Sequence, residues 1–161
     1  MLFQSPSHYF LCAGCGDGYS SLNAFDEALW TAGVGDVNLV RLSSILPPGC
    51  EEVEPFELPD GALVPTAYSE VRSSTSGRVI SAAVAIALPQ DPAAPGLIME
   101  HHGAAPLTAV SSEIHEMAIR GMRMRDRAVA DIVTTGVEHT VMRHGAVFAG
   151  VVMWNEAPEQ G

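Results

Sequence analysis

Positive charge is scarce in this sequence: eight lysine and arginine residues stand against 19 aspartates and glutamates, for a formal charge of −11. Such a chain repels a phosphate backbone, and its basic residues form no long run, so nucleic acid is not expected as a partner. An acidic protein suits a cationic small molecule, although net charge steers an encounter and does not define a site. Aromatics are sparse too, at 6%, which leaves an aliphatic core. The cysteines, Cys12, Cys15 and Cys50, give an odd count and no disulfide framework. Cys12-Ala-Gly-Cys15 has the spacing of half a zinc site, but no second pair follows; the thiols read as reduced and mostly buried, and no metal is expected. No apolar run reaches the ~20 residues that span a bilayer. The first six residues, Met1 to Pro6, have neither a basic head nor a sustained apolar stretch, so no membrane association and a cytoplasmic location are expected. Internal repeats and low-complexity segments are also lacking.

What is present is apolar content, 47% of 161 residues, with only 17% charged. That length suits one domain over 1–161 with a core of its own. The low charged fraction points to surface hidden against other copies of the chain. Fifteen glycines and eleven prolines argue for many turns joining short strands.

In chain order, His8 to Gly14 reads as a buried strand, and Gly14-Cys15-Gly16-Asp17-Gly18 as a loop without a phosphate-binding ending. Ser20 or Ser21 caps a helix to about Ala32, stopped by Gly33. Its buried stripe is Leu22, Phe25, Ala28, Leu29 and Ala32, with Asp26 beside it. Val37 to Leu42 is a strand, Cys50 to Gly61 an acidic connector, and strands follow over about 62–72 and 78–88. Gly96-Leu97-Ile98-Met99-Glu100 places a carboxyl group at the end of a buried strand, where desolvation would raise its pKa and suit it to acid catalysis. His101 and His102 then fall on opposite faces and make poor joint metal ligands. A long helix is expected from Pro106 to about Ala130, with Arg120, Arg123, Arg125 and Arg127 on a solvated or salt-bridged face near its end. Residues 140–143 and 146–154 read as a hairpin over His144-Gly145, and 155–161 as a loose tail.

Everything else can be arranged around Asn38-Leu39-Val40-Arg41-Leu42-Ser43-Ser44-Ile45-Leu46-Pro47-Pro48-Gly49. A strand delivers two adjacent hydroxyls to a point where two prolines and a glycine end any regular ladder. Taken alone, Ser43-Ser44 is a turn. The whole string resembles the segment of pyruvoyl-dependent arginine decarboxylases in which the bond between two serines is cut. Leu22-Asn23-Ala24-Phe25-Asp26-Glu27-Ala28-Leu29, Ala32-Gly33-Val34-Gly35-Asp36-Val37-Asn38 and Gly96-Leu97-Ile98-Met99-Glu100 resemble the same family, in order and spacing, over much of residues 20–103.

The resemblance implies an α+β fold, a four-layer αββα sandwich of the pyruvoyl-dependent histidine/arginine decarboxylase type, assembled as trimers with active sites between protomers. It implies self-cleavage by the Ser44 hydroxyl on the Ser43 carbonyl, with Asn38 as oxyanion donor, giving a 1–43 β chain and a 44–161 α chain. Ser44 becomes a covalent pyruvoyl group, which replaces pyridoxal phosphate and needs no metal. Asp26 would hold the guanidinium of arginine, for which a carboxylate is a planar two-point match. The backbone carbonyls of Gly35 and Val37 would help, and Glu100 would return a proton after carbon dioxide leaves, so that agmatine is released. His101-His102 departs from the family pattern and changes the polarity of the pocket. Two other readings stay open: an uncleaved, non-enzymatic or regulatory trimer of the same fold, and a decarboxylase of another amino acid such as histidine.

Overall fold

Continuous apolar runs and small residues decide how the strands stack. A computed structural model describes residues 4–155. The elements are β1 (His8–Asp17), α1 (Ser21–Thr31), β2 (Asn38–Arg41), β3 (Ile45–Leu46), β4 (Glu51–Glu52), β5 (Leu63–Ser73), β6 (Val79–Pro89), β7 (Gly96–Gly103), α2 (Leu107–Met124), β8 (Val129–Thr140) and β9 (Gly145–Trp154). They form a five-stranded sheet in the order β2-β5-β9-β1-β4 and a four-stranded sheet in the order β3-β7-β6-β8, so the fold is mixed α and β.

β6 is buried on both faces, and its alternation decides what each face meets. Ala82, Val84 and Ile86 pack with Ala67, Val147, Ala149 and Val151 of the five-stranded sheet, whereas Ala83, Ala85 and Ala87 pack with α2. β9 divides in the same way, sending Val147, Ala149, Val151 and Met153 to the inter-sheet cluster and Ala146, Phe148 and Val152 to a cluster shared with α1. Strands covered on both faces read as unbroken apolar runs. α2 contributes Val110, Ile114, Ala118 and Met122, a stripe at four-residue spacing. Burying its larger side chains stabilises the helix on its sheet by roughly 2 kcal/mol each.

Three expectations from the sequence are corrected. Residues 14–17 are not a loop but the end of β1, paired with β9 as far as Asp17↔Gly145. The glycines of that stretch serve helix packing: a Cβ on Gly14 would lie 2.2 Å from the Ala28 carbonyl oxygen and 2.5 Å from the Ala32 nitrogen. The second helix stops at Met124 because Asp126 adopts φ 52°, a left-handed turn that Asp tolerates. The Arg127 N–H then closes the turn on the Met122 carbonyl at 3.0 Å. Residues 129 and 130, expected in that helix, begin β8, which also takes in residues 131–139, a stretch with no element expected from the sequence. β8 and β9 form no hairpin, since β8 pairs with β6 and β9 with β1 and β5 in the other sheet.

The first helix runs as expected from Ser20, whose Oγ accepts from the Asn23 N–H at 3.1 Å, to Gly33 at φ 79°. Its stripe is shifted: Ala24 and Ala28 are fully buried, while Leu22 is 68% exposed. The late arginines hold carbonyls and an acid, Arg125 at Gly121, Arg127 at Pro95 and Arg120 at Glu116. Among the described residues no helix is long and apolar enough to cross a membrane. Of the expected tail, all but Asn155 lies outside the described residues.

Candidate active site

β2 is the outer strand of one sheet and β3 the outer strand of the other, so Leu42, Ser43 and Ser44 carry the chain between two sheet edges. β2 pairs in parallel with β5, and the Leu42 N–H still donates to the Thr66 carbonyl at 3.0 Å. β3 pairs antiparallel with β7 through Ile45↔Leu97 and Leu46↔Gly96, and the Ile98 N–H donates to the Ser44 carbonyl at 2.7 Å. Leu42 is thus anchored to the first sheet and Ser44 to the second. Ser43 is exposed and lies in neither ladder. Pro47, Pro48 and Gly49 end β3 after two residues; Gly49 has φ 72°, and the Cys50 N–H closes on the Pro47 carbonyl at 3.2 Å.

Glu100 follows two residues after Ile98 on β7. Side chains alternate along a strand, so Glu100 shares the face of Ile98, which packs in the inter-sheet cluster. There its Oε1 accepts from Arg41 Nη2 at 3.0 Å, while its Oε2 is buried and has no hydrogen-bond partner. The same Arg41 Nη2 donates to the Tyr68 carbonyl at 2.7 Å, and the guanidinium lies 4.3 Å from the Tyr68 ring centroid. Hydrogen bonding to Glu100 raises the Arg41 pKa further, so Arg41 remains cationic. The surround of Glu100 differs from the dry strand end expected from the sequence. The strand continues to Gly103, the Glu100 side chain is 32% exposed, and a cation is its partner. Arg41 was not singled out in the sequence. The available signal was a charge at the end of the short strand Asn38-Leu39-Val40-Arg41.

His101 and His102 do face opposite ways. His101 Nε2 meets Glu113 of α2 at 2.8 Å, and His102 Nδ1 meets the buried Ser69 Oγ of β5 at 3.1 Å.

The remaining expected site residues lie elsewhere on the chain, with Asp26 in a groove beside Leu22, Phe25 and Leu29 and with Gly35 and Val37 in a separate cavity. Asp26 is exposed on α1, one turn from Leu22 on one side and from Trp30 on the other; those two apolar residues are 68% and 66% exposed. Gly35 lies against Trp30, where a Cβ would come within 2.9 Å of the Trp30 Cα. Trp30, Gly35, Asp36, Val37, Glu57 and Asp60 help line a cavity of about 190 Å³. Asn38 opens β2, and its Nδ2 donates to the Gly61 carbonyl at 3.0 Å. Five residues of extended chain, roughly 16 Å, separate it from Ser43. Within one chain the structure therefore bonds Ser44 to Ile98, two residues before Glu100, brings Gly35 and Val37 to one cavity with Trp30, and holds the Asn38 amide on Gly61, away from the serines.

The cysteine spacing does not form a metal half-site. Cys12 packs on the α1 side of its sheet and Cys15 on the inter-sheet side. Burial pushes the Cys12 thiol up to about 12 and the Cys50 thiol to about 11. Among the described residues no group of three or more His, Cys, Asp or Glu is placed to hold a metal ion.

Comparison with known proteins finds relatives that match nearly the whole chain. The family model described as pyruvoyl-dependent arginine decarboxylase matches residues 8–158. A protein of that name from Methanocaldococcus jannaschii is 45% identical over 152 residues, covering 94% of this chain and 92% of its own. Its namesake from Methanococcus vannielii is 39% identical, with 94% and 93% covered. One from Pyrococcus furiosus is 35% identical over 157 residues, with 96% and 99% covered. A match of that extent, in a chain whose two serines lie at the crossing between two sheet edges, means that the chain belongs to the pyruvoyl-dependent arginine decarboxylase family.

Proposed function

We propose that this protein converts L-arginine to agmatine and carbon dioxide with a pyruvoyl group made from its own Ser44. One observation carries the reading: Ser43-Ser44 bridges two sheet edges, with the Ser44 carbonyl held by the Ile98 N–H and Glu100 two residues further along β7. Because each side of the bond is anchored to its own sheet, the 1–43 and 44–161 chains stay in place when it is cut. A crossing in which residues 42–44 lie outside both ladders and Ser43 is exposed also leaves room for the Ser44 hydroxyl to approach the Ser43 carbonyl. A pyruvoyl group supplies a ketone that condenses with an amine and withdraws electrons as carbon dioxide leaves. The residues present fit such a group: the carbonyl of residue 44, which would adjoin the ketone, already accepts a hydrogen bond of 2.7 Å. All eight basic residues of the sequence are arginines. No lysine side chain is therefore available to anchor pyridoxal phosphate, which supports a cofactor built from the chain.

Glu100 has one oxygen free to hold or give a proton. Asp26 would hold the guanidinium, with the carbonyls of Gly35 and Val37 beside it. Since Asn38 is far from the serines of its own chain, Asn38 and the Asp26 group would serve the Ser44 and Glu100 of a neighbouring copy. Exposed apolar residues on both halves support a trimer with shared sites: Leu22 and Trp30 flank Asp26, and Val40 and Ile45 flank the serines. The three apolar clusters support one domain in four layers, helix, sheet, sheet, helix. A cytoplasmic location belongs to the same proposal.

The test is a decarboxylation assay on the purified protein with arginine and, separately, histidine. Carbon dioxide and agmatine released from arginine, with little turnover of histidine, are expected. Turnover of histidine in preference to arginine would remove Asp26 from its role, and no turnover of either would sink the enzyme reading.

A further inference from the structure

Arg41 makes three contacts that reach across both sheets. From β2 it donates to the Tyr68 carbonyl of β5 at 2.7 Å, lies 4.3 Å from the Tyr68 ring centroid, and meets Glu100 Oε1 of β7 at 3.0 Å. A planar guanidinium can satisfy a carbonyl, a ring face and a carboxylate together, which a lysine ammonium does poorly. Arg41 takes only one oxygen of Glu100 and leaves Oε2 shielded from solvent with no partner. An unpaired buried acceptor is costly, so that oxygen is set up for a group not yet present. Arg41 also lies in segment 1–43 and Glu100 in segment 44–161, on opposite sides of the proposed cut.

We infer that Arg41 is a positioning residue for turnover: it tethers Glu100 by Oε1 across the Ser43-Ser44 cut and reserves Oε2 for the proton that reaches the substrate. This rests on the proposed decarboxylase reading. Cutting turns residues 41–43 into a chain end, and chain ends fray unless they are tied down. The Arg41 contacts tie this one to β5 and β7, so the segment released by maturation still orients the acid of the other segment. The remaining neighbours do not replace the tether. On the same face of β7, His102 is engaged by Ser69, and on the opposite face His101 is engaged by Glu113 of α2.

The experiment compares wild-type protein with R41M and R41K by fragment mass, by kcat and KM for arginine, and by hydrogen exchange over 38–43 in the cleaved protein. R41M is expected to yield the same two fragments, with kcat down about 10²-fold from misplacement of the acid and KM within about twofold, a split that uniform loss of binding does not give. Exchange over 38–43 should rise, and R41K should recover part of kcat. If R41M does not fold, R41Q carries the same expectation. Wild-type kcat in a fully cleaved R41M or R41Q would overturn the inference, as would a loss of activity explained wholly by failure to cleave. If wild-type protein neither cleaves nor decarboxylates, the decarboxylase reading itself fails, before any variant is compared.

Discussion

Asp26 and Glu100 are both carboxylates, and the proposed reaction asks opposite things of them: Asp26 must stay charged to hold a guanidinium, whereas Glu100 must pass a proton. Their surroundings differ. Asp26 is exposed on a helix between two exposed apolar residues, while Glu100 has one oxygen engaged by Arg41 and the other buried without a partner. Asp26→Asn removes a charge-assisted pair worth about 2–3 kcal/mol. KM for arginine is expected to rise about 10²-fold with cleavage unaffected, as read from steady-state kinetics. Glu100→Gln keeps the shape and removes the proton. It is expected to cleave and then lose kcat by about 10²–10⁴-fold, the usual worth of a general acid; a fully active variant would take Glu100 out of that role.

At the scale of elements, the site depends on how closely α1 and β1 approach and on what joins the two sheets. Gly14 has no room for a methyl group against the α1 backbone. Gly14→Ala is expected to cost ~2 kcal/mol by overpacking and to lower Tm by about 5 °C, measurable by calorimetry. At the far end of β1, Asp17 reaches across to the other sheet. Its carboxylate accepts from the Arg143 N–H at 2.8 Å and the Met142 N–H at 3.2 Å, and pairs with His139 Nε2. Burial alone would raise its pKa, but these donors outweigh it and hold the carboxyl below the usual value of 3.8. A depressed carboxyl stabilises the fold fully above its unfolded value and loses that contribution as pH falls through the lower folded one. Denaturant midpoints should therefore fall as the pH drops below about 4, and Asp17→Asn should flatten that part of the profile.

These elements also mark how far the sequence could be read. The α1 cap at Ser20, the stop at Gly33 and the strand carrying Glu100 were legible because each is a local signal. The glycines of β1 were not, since alternate glycines in a strand facing a helix look like a loop until the helix is in place. β8 was hidden because Ala128 to Thr135 continues an apolar pattern across the Asp126 turn, and Asp announces a left-handed stop less clearly than Gly. Arg41 was missed for a different reason: its partners Tyr68 and Glu100 are 27 and 59 residues away in the chain. The serine pair was legible only as part of a family string; its place between two sheet edges belongs to topology.

For the molecule as a whole, one bond is central. The chain leaves the edge of one sheet at Leu42 and joins the edge of the other at Ser44, and the bond between Ser43 and Ser44 is where a cut would leave both sheets standing. Intact-mass measurement of the purified protein, with Ser44→Ala alongside, tests this most directly. The prediction is two fragments, 1–43 with an ordinary carboxylate and 44–161 lighter by one ammonia than a chain beginning with serine, while Ser44→Ala stays whole. A single wild-type chain of 17.0 kDa, or a 44–161 fragment that retains its serine amine, would contradict it.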